Sequence, residues 1–316
     1  MRYRPLGSSG LVVSVVGLGC NNFGGRLDQT QTNAVVGAAI DNGITLFDTA
    51  DMYGSGAGES ALGKALGKRR SDVIVATKFG MEMGGSVAPS WMARGSREYI
   101  RRAVERSLAA LGTDYIDLLQ YHEPDGVTPI EETLSALDDL VRAGLVRYLG
   151  TSNMAPWQLI DAHHTAANLN LSRFVTTQTQ YHLLDRSAET DTTPAAQRSG
   201  MSILPYYPLA NGLLTGKYVR GEAPPLGSRL SWREGWTTDA AMDRIDRLSA
   251  FAAAVDRSLL EVAIGGLAAL PAVGSVISGA TKPAQVVANA AAGDWVPDAT
   301  ELEEINAIVA PGERVV

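Results

Sequence analysis

Five short apolar runs in this chain each stop at a polar residue that can do chemistry. The run 44–47 is followed by Asp48, 73–77 by Lys78, 116–121 by His122, 146–151 by Ser152 and Asn153, and 174–177 by Gln178. Asp48, Tyr53, Lys78 and His122 form a coherent set. A tyrosine is a poor acid near neutral pH, with a free pKa of about 10. A nearby ammonium stabilises the phenolate and lowers that value. Lys78 can supply the ammonium, and Asp48 can hold it charged and fix its direction. Tyr53 lies just beyond Asp48, close enough for a loop to turn its hydroxyl toward Lys78. His122 can then direct a carbonyl oxygen at Tyr53. Together they make a proton donor beside a polarised carbonyl.

A second group suits a nicotinamide. Ser152, Asn153 and Gln178 carry hydroxyl and amide groups that match the donors and acceptors of a carboxamide. Tyr206, at the end of another apolar run, can stack on the ring. A third group suits phosphate. Gly279 and Ala280 permit close backbone approach, and a helix is predicted to begin near Lys282. Helix N-termini bind anions in this way.

Residues this far apart in sequence meet only if the runs share one face. Each run is strand-sized, and helical spacing fills the gaps between them. Strands are predicted at 15–18, 44–48, 73–78, 116–121, from 146, from 174, at 202–206 and at 276–277. Helices are predicted at 31–42, 60–66, 96–111, 128–143, 157–167, 193–199, 240–255, from 258, at 282–292 and from 300. Ser96 is a candidate cap, and Thr128 with Glu131 and Ser258 with Glu261 read as capping boxes. Eight strand–helix units favour a closed TIM (β/α)8 barrel, whose active site lies at the C-terminal strand ends. Residues 6–11 read as a hairpin turn between two short strands that lie across one end of the barrel as a lid, and the helix from 300 lies outside the barrel. A segment at 208–236 is a long insertion.

The chain has 316 residues, which fits one barrel domain over residues 1–316. The net charge of -7 argues against a nucleic-acid surface. Cys20 is the only cysteine, so no internal disulfide can form; a reducing, cytoplasmic location is expected. The N-terminus has no apolar segment behind its charges, so no signal peptide is expected. Residues 262–281 carry no charge, but Pro271 interrupts them; they read as a buried helix, a turn and a strand rather than a membrane span.

The chain resembles an aldo-keto reductase. The resemblance rests on Asp48-Thr49-Ala50-Asp51-Met52-Tyr53-Gly54, Gly58-Glu59-Ser60, Leu62-Gly63-Lys64-Ala65-Leu66 and Thr77-Lys78. It continues through Leu111-Gly112-Thr113-Asp114-Tyr115-Ile116-Asp117, Gln120-Tyr121-His122, Gly150-Thr151-Ser152-Asn153, Tyr206-Tyr207-Pro208-Leu209 and the segment 279–289. These pieces run in the family's order along nearly the whole chain. The resemblance implies reduction of aldehydes or ketones with NADPH, or with NADH as the other choice. It implies Tyr53 as general acid, Asp48 and Lys78 tuning it, and His122 orienting the carbonyl. It places the cofactor against Ser152, Asn153, Gln178, Tyr206, Leu209, Gly212, Leu214, Lys217, Gly279, Lys282, Gln285 and Asn289. Two departures stand out. Lys282 occupies a neighbourhood where the family often has arginine, and Tyr207 stands where it commonly has serine.

Rival readings remain at this stage. Lys78 in an apolar barrel could form a Schiff base, as in a lyase or aldolase. The fold also serves as a cofactor-binding regulatory subunit. Gly17-Leu18-Gly19-Cys20 is a poor Rossmann fingerprint, lacking a third glycine and a following helix. His163-His164 reads as an exposed helix face, with no ligand cluster to make a metal site. Phe23, Met52, Trp91, Trp232 and Trp236 are candidate walls for a substrate, with core packing as the alternative. The partner is expected to be a small aldehyde or ketone, with no nucleic acid or membrane, and the protein a monomer or weak homo-oligomer.

Overall fold

The computed structural model describes residues 1–83, 85, 87–231 and 235–316. An antiparallel hairpin comes first: β1 (Tyr3–Pro5) and β2 (Val12–Ser14). Parallel strands and helices then alternate: β3 (Val16–Gly19), α1 (Gln29–Asp41), β4 (Leu46–Asp48), α2 (Gly58–Leu66), β5 (Ile74–Phe79), α3 (Arg97–Leu111), β6 (Ile116–Tyr121) and α4 (Ile130–Arg142). They continue with β7 (Val146–Ser152), α5 (Pro156–Asn168), β8 (Phe174–Gln180), α6 (Thr192–Arg198), β9 (Ser202–Tyr206), α7 (Asp239–Ala254), α8 (Leu259–Ala269), β10 (Val276–Gly279), α9 (Pro283–Ala292) and α10 (Ala299–Ile308).

The eight parallel strands run in the order β10-β3-β4-β5-β6-β7-β8-β9. The ring is completed just before β10. The Ile203 N–H donates to Ala272 O at 2.7 Å, and the Gly274 N–H to Ile203 O at 2.8 Å. This is the expected TIM barrel, with helices outside. The uncharged stretch 262–281 divides into α8, a turn and β10; no described helix is long and apolar enough to cross a membrane.

The hairpin plugs one end. Leu6, Leu11 and Val13 are buried against Leu46, Ala76, Leu118, Leu204 and Ile277, from five barrel strands. Gly7 makes the plug fit. Its φ is +53°, and a Cβ there would lie 2.4 Å from Val175 O and 2.5 Å from Gly200 O, so a larger residue cannot sit in the turn.

Most helix signals are realised. Ser96 accepts from the Tyr99 N–H, and the Ser258–Glu261 box forms. Three differ. The helix expected from 31 begins at Gln29, because Asp28 and Gln31 make a capping box there. The last helix is capped by Asp298 with Glu301, ahead of Thr300. The Thr128–Glu131 box does not form. Thr128 Oγ1 donates instead to Asp125 Oδ2 at 2.8 Å, and Pro129 stands at the cap without a side-chain bond. Asp125 also accepts from the N–H groups of Gly95, Val127 and Thr128, which outcompetes a single cap. Gly17 to Gly19 lies in β3, with no helix until α1, so it is a barrel strand and not a dinucleotide turn.

Candidate active site

The strand period of two determines what faces the barrel axis. Along β4 the inward positions run Leu46, Asp48; along β5, Ala76, Lys78; along β6, Leu118, Gln120. The apolar member of each pair belongs to the plugged end. The polar member reaches the other end, where all four predicted catalytic residues assemble.

Lys78 is fully buried, and its ammonium has three acceptors. It donates to Asp48 Oδ2 at 2.7 Å, to Thr49 O at 2.8 Å and to the Tyr53 hydroxyl at 3.4 Å. The Asp48 carboxylate is completed by two amides: Oδ1 accepts from Gln120 Nε2 at 3.1 Å and Gln178 Nε2 at 2.9 Å. The ion pair is thus desolvated but fully hydrogen-bonded, the condition under which a buried pair persists. Burial alone would lower the Lys78 pKa; the Asp48 charge and the Tyr53 oxygen outweigh it and raise it. Tyr53 emerges into the cavity edge-on to His122, with ring centroids 6.3 Å apart. The loop that brings it there needs Gly54, whose φ is +59° and whose Cβ would lie 2.6 Å from Phe23 O.

One electrostatic expectation is corrected. The ammonium was expected to carry the Tyr53 phenol below its free value. The net direction is upward, because burial of the phenol outweighs the pull of Lys78. The phenol therefore keeps its proton at neutral pH. His122 is lowered to about 3 by burial and by Lys78, so its ring is neutral.

Asp48, Tyr53 and His122 line a cavity of about 790 Å³, inside the ~300–1,000 Å³ range of small-molecule sites, with Lys78 buried behind them. The predicted cofactor residues Ser152, Asn153, Gln178, Tyr206, Leu209, Gly212, Lys217, Gly279, Lys282, Gln285 and Asn289 all line it; Leu214 does not and is fully buried. Several already have internal partners. Ser152 Oγ donates to Gln178 O at 3.0 Å. Asn153 Nδ2 donates to His122 O, and its Oδ1 accepts from the Tyr206 hydroxyl, both at 3.1 Å. Gln178 spends its amide N–H groups on Asp48 and Gln120, which leaves Oε1 as the group available to a ligand. Asn153, Tyr207, Ala210 and Asn211 all have φ between +46° and +57°. Left-handed conformations of non-glycine residues cluster at functional sites.

The substrate-wall candidates separate. Met52 lines the cavity. Phe23 does not; it is fully buried in the core around α1. Trp91 is 79% exposed and also outside the lining. Trp236 packs toward His182, with ring centroids 6.3 Å apart, and is not part of the lining. Trp232 lies outside the described residues. In place of these aromatics the lining contains Tyr207, Leu226, Arg26 and Arg229. Neither arginine was singled out from sequence, because Arg26 lies in a loop and Arg229 opens a single 3-10 turn, Arg229–Ser231, too short to carry a periodic signal. Gln120 was also missed as a partner of Asp48. Its parity with Leu118 and His122 along one strand was the available clue.

The residues present fit a nicotinamide dinucleotide: amide and hydroxyl groups at one side of the cavity, and the cationic side chains of Arg26, Lys217 and Lys282 with the backbone of Gly279 to Lys282 suited to phosphates. The profile of the Aldo/keto reductase family matches residues 15–310. The chain belongs to the aldo/keto reductase family. It is 35% identical over 321 residues to a probable voltage-gated potassium channel subunit beta from Oryza sativa subsp. japonica, covering 98% of this chain and 97% of that one. It is 40% identical over 231 residues to an uncharacterized oxidoreductase of Bacillus subtilis, with 71% of each chain covered. It is 36% identical over 271 residues to versiconal hemiacetal acetate reductase of Aspergillus parasiticus, covering 78% of this chain and 76% of that one.

Proposed function

We propose that this aldo/keto reductase reduces a small aldehyde or ketone to the alcohol, using NADPH in preference to NADH. The observation that carries the reading is the Lys78 ammonium, 2.7 Å from Asp48 and 3.4 Å from the Tyr53 hydroxyl at the edge of the cavity. When bound, the reduced nicotinamide supplies the hydride. Tyr53 gives its proton to the carbonyl oxygen. The developing phenolate is then stabilised by Lys78, which is already desolvated and oriented, so little reorganisation is needed. Neutral His122 flanks the same oxygen and can share a hydrogen bond with it without competing for the proton. Gln178 and Ser152 orient the carboxamide, Tyr206 flanks the ring, and Lys217, Arg229 and Lys282 meet the phosphates.

The Schiff-base reading is disfavoured by the same geometry. Nucleophilic attack needs a neutral amine, whereas Lys78 has all three protons engaged and its pKa raised. The regulatory-subunit reading draws support from the name of the rice relative. One experiment separates these readings. Protein fluorescence is titrated with NADPH and NADH in parallel, and NADPH oxidation is followed with a panel of aliphatic and aromatic aldehydes. Tight NADPH binding with turnover supports the reductase. Tight binding without turnover favours the regulatory subunit. Failure of both cofactors to bind would overturn the proposal.

A further inference from the structure

Asp51 is a buried carboxyl that the chemistry above leaves unused. It lies between Asp48 and Tyr53 in sequence and is 1% exposed, and among the described residues neither of its carboxyl oxygens is bonded by a side chain. Its backbone N–H donates to Lys78 O at 3.2 Å, which ties it to the strand that carries the ammonium. It does not line the cavity. Asp51 and Asp48 are therefore opposites. Asp48 has an ammonium and two amides; among the described residues no side chain donates to Asp51, and only the adjoining Met52 backbone N–H bears on its carboxyl.

The groups that face Asp51 come from three elements: Glu59 on α2, Arg106 and Tyr99 on α3, and Lys78 on β5. Glu59 is itself 2% exposed, and its carboxylate is committed elsewhere. It accepts from Thr77 Oγ1 at 2.6 Å and is bonded by Ser107. Among the described residues no ion pair joins Asp51 to Arg106; Arg106 Nη1 points at Met83 Sδ, 3.6 Å away. A carboxylate in this place would be shut off from water and from any described side-chain donor, with a second carboxyl beside it. Each of these conditions favours the neutral acid. Burial first, and Glu59 second, push Asp51 up to about 7.

We propose that Asp51 is a positioning residue for the Tyr53–Lys78 pair, present as a neutral carboxylic acid and weakening the pair when it ionises. The proposal rests on Tyr53 as the proton donor, but it makes claims that hold without turnover. A negative Asp51 adds a charge near Lys78 that opposes formation of the Tyr53 phenolate. Tyr53 then holds its proton more tightly, and proton delivery slows.

The test compares wild type, Asp51→Asn and Glu59→Gln in the full chain, using three readouts. The first is thermal stability between pH 4 and 8.5. The native state binds a proton on Asp51 that the unfolded chain has lost above about pH 4, so wild type loses stability as pH rises toward 7. Asp51→Asn lacks this loss, so its melting temperature gains on wild type across that interval and the gap levels above it. Equal slopes overturn the proposal. The second readout is the ultraviolet absorbance of the Tyr53 phenolate, taken as the difference from Tyr53→Phe. In Asp51→Asn the phenol should ionise roughly half a pH unit or more below wild type. An unchanged phenol titration overturns the coupling to the pair. The third is the pH profile of kcat. Its inflection near neutral pH should be lost in Asp51→Asn and should move to lower pH in Glu59→Gln, which removes the neighbouring charge. An inflection retained in Asp51→Asn overturns the proposal. If Asp51→Asn does not fold, the wild-type stability slope should still move to lower pH in Glu59→Gln, and a stationary slope counts against the proposal. Absence of turnover in every variant would defeat the reductase reading, while the first two readouts still decide the role of Asp51.

Discussion

The two ends of the barrel are made from the same strands and carry opposite chemistry. At the plugged end Leu46, Ala76 and Leu118 are fully buried against the hairpin residues Leu6 and Val13. Two residues further along the same inward faces come Asp48, Lys78 and Gln120. A strand rises about 3.3 Å per residue, so roughly 7 Å separates a dry apolar layer from an ion pair. The first layer makes the second possible. Closing the N-terminal end with leucines keeps water from reaching Lys78 and Asp48 from behind, so the pair is screened only by the groups built around it. Stability and chemistry are thus assigned to successive turns of one pleat.

That comparison is broken most severely at the open end. Tyr53→Phe should lower kcat by about 10²–10⁴-fold, the usual range for loss of a general acid, with NADPH affinity and melting temperature close to wild type. Retained turnover in steady-state assays would remove Tyr53 from its role. At the plugged end the expected effect is as large but of the other kind. Leu118→Ala should cost about 2–5 kcal/mol in urea unfolding, while kcat per folded molecule is unchanged. A loss of kcat without a loss of stability would mean that the two layers are not separable.

A smaller effect sharpens the electrostatic side. His122 is held neutral, its pKa lowered to about 3 from the usual imidazole value of about 6.5 by burial and by Lys78. Its folded value is depressed, so the stability associated with the neutral ring is fully present above about pH 6.5 and is lost as pH falls toward 3. The stability lost by wild type between pH 7 and pH 5 should therefore exceed that of His122→Gln by about 2 kcal/mol, measured by denaturant unfolding at both pH values. The smallest effect concerns the cofactor rim. Lys282→Leu should weaken NADPH binding by about tenfold, worth about 1.4 kcal/mol, and leave NADH nearly unaffected. Equal weakening of both would place Lys282 away from the phosphate that distinguishes them.

Much of this arrangement was legible as sequence. Asp48, Lys78 and His122 stand where apolar runs end, and a strand's end is marked by its own residues. The rest depended on competition between distant groups. Thr128 and Glu131 have the spacing of a capping box, yet Asp125 takes the Thr128 hydroxyl and three N–H groups besides. Phe23, Trp91 and Trp236 are aromatic residues beside the right loops, but nothing local states whether a ring faces the cavity, the core or solvent. Arg26 reaches the cavity from a loop and Arg229 from a single 3-10 turn, where no period predicts direction.

The sequence by itself determined the eight strand–helix units and set Asp48, Tyr53, Lys78 and His122 at or just beyond strand ends, because strand period, helix caps and strand-end residues are local properties of the chain. Only the tertiary structure decided the charge states and the partners. It half-buried Tyr53, enough to raise its phenol despite Lys78, gave Asp48 two side-chain amides, and gave Asp51 none. Protonation depends on solvent access and on charges brought within a few ångströms by strands far apart in sequence. Those distances exist only once the barrel has closed.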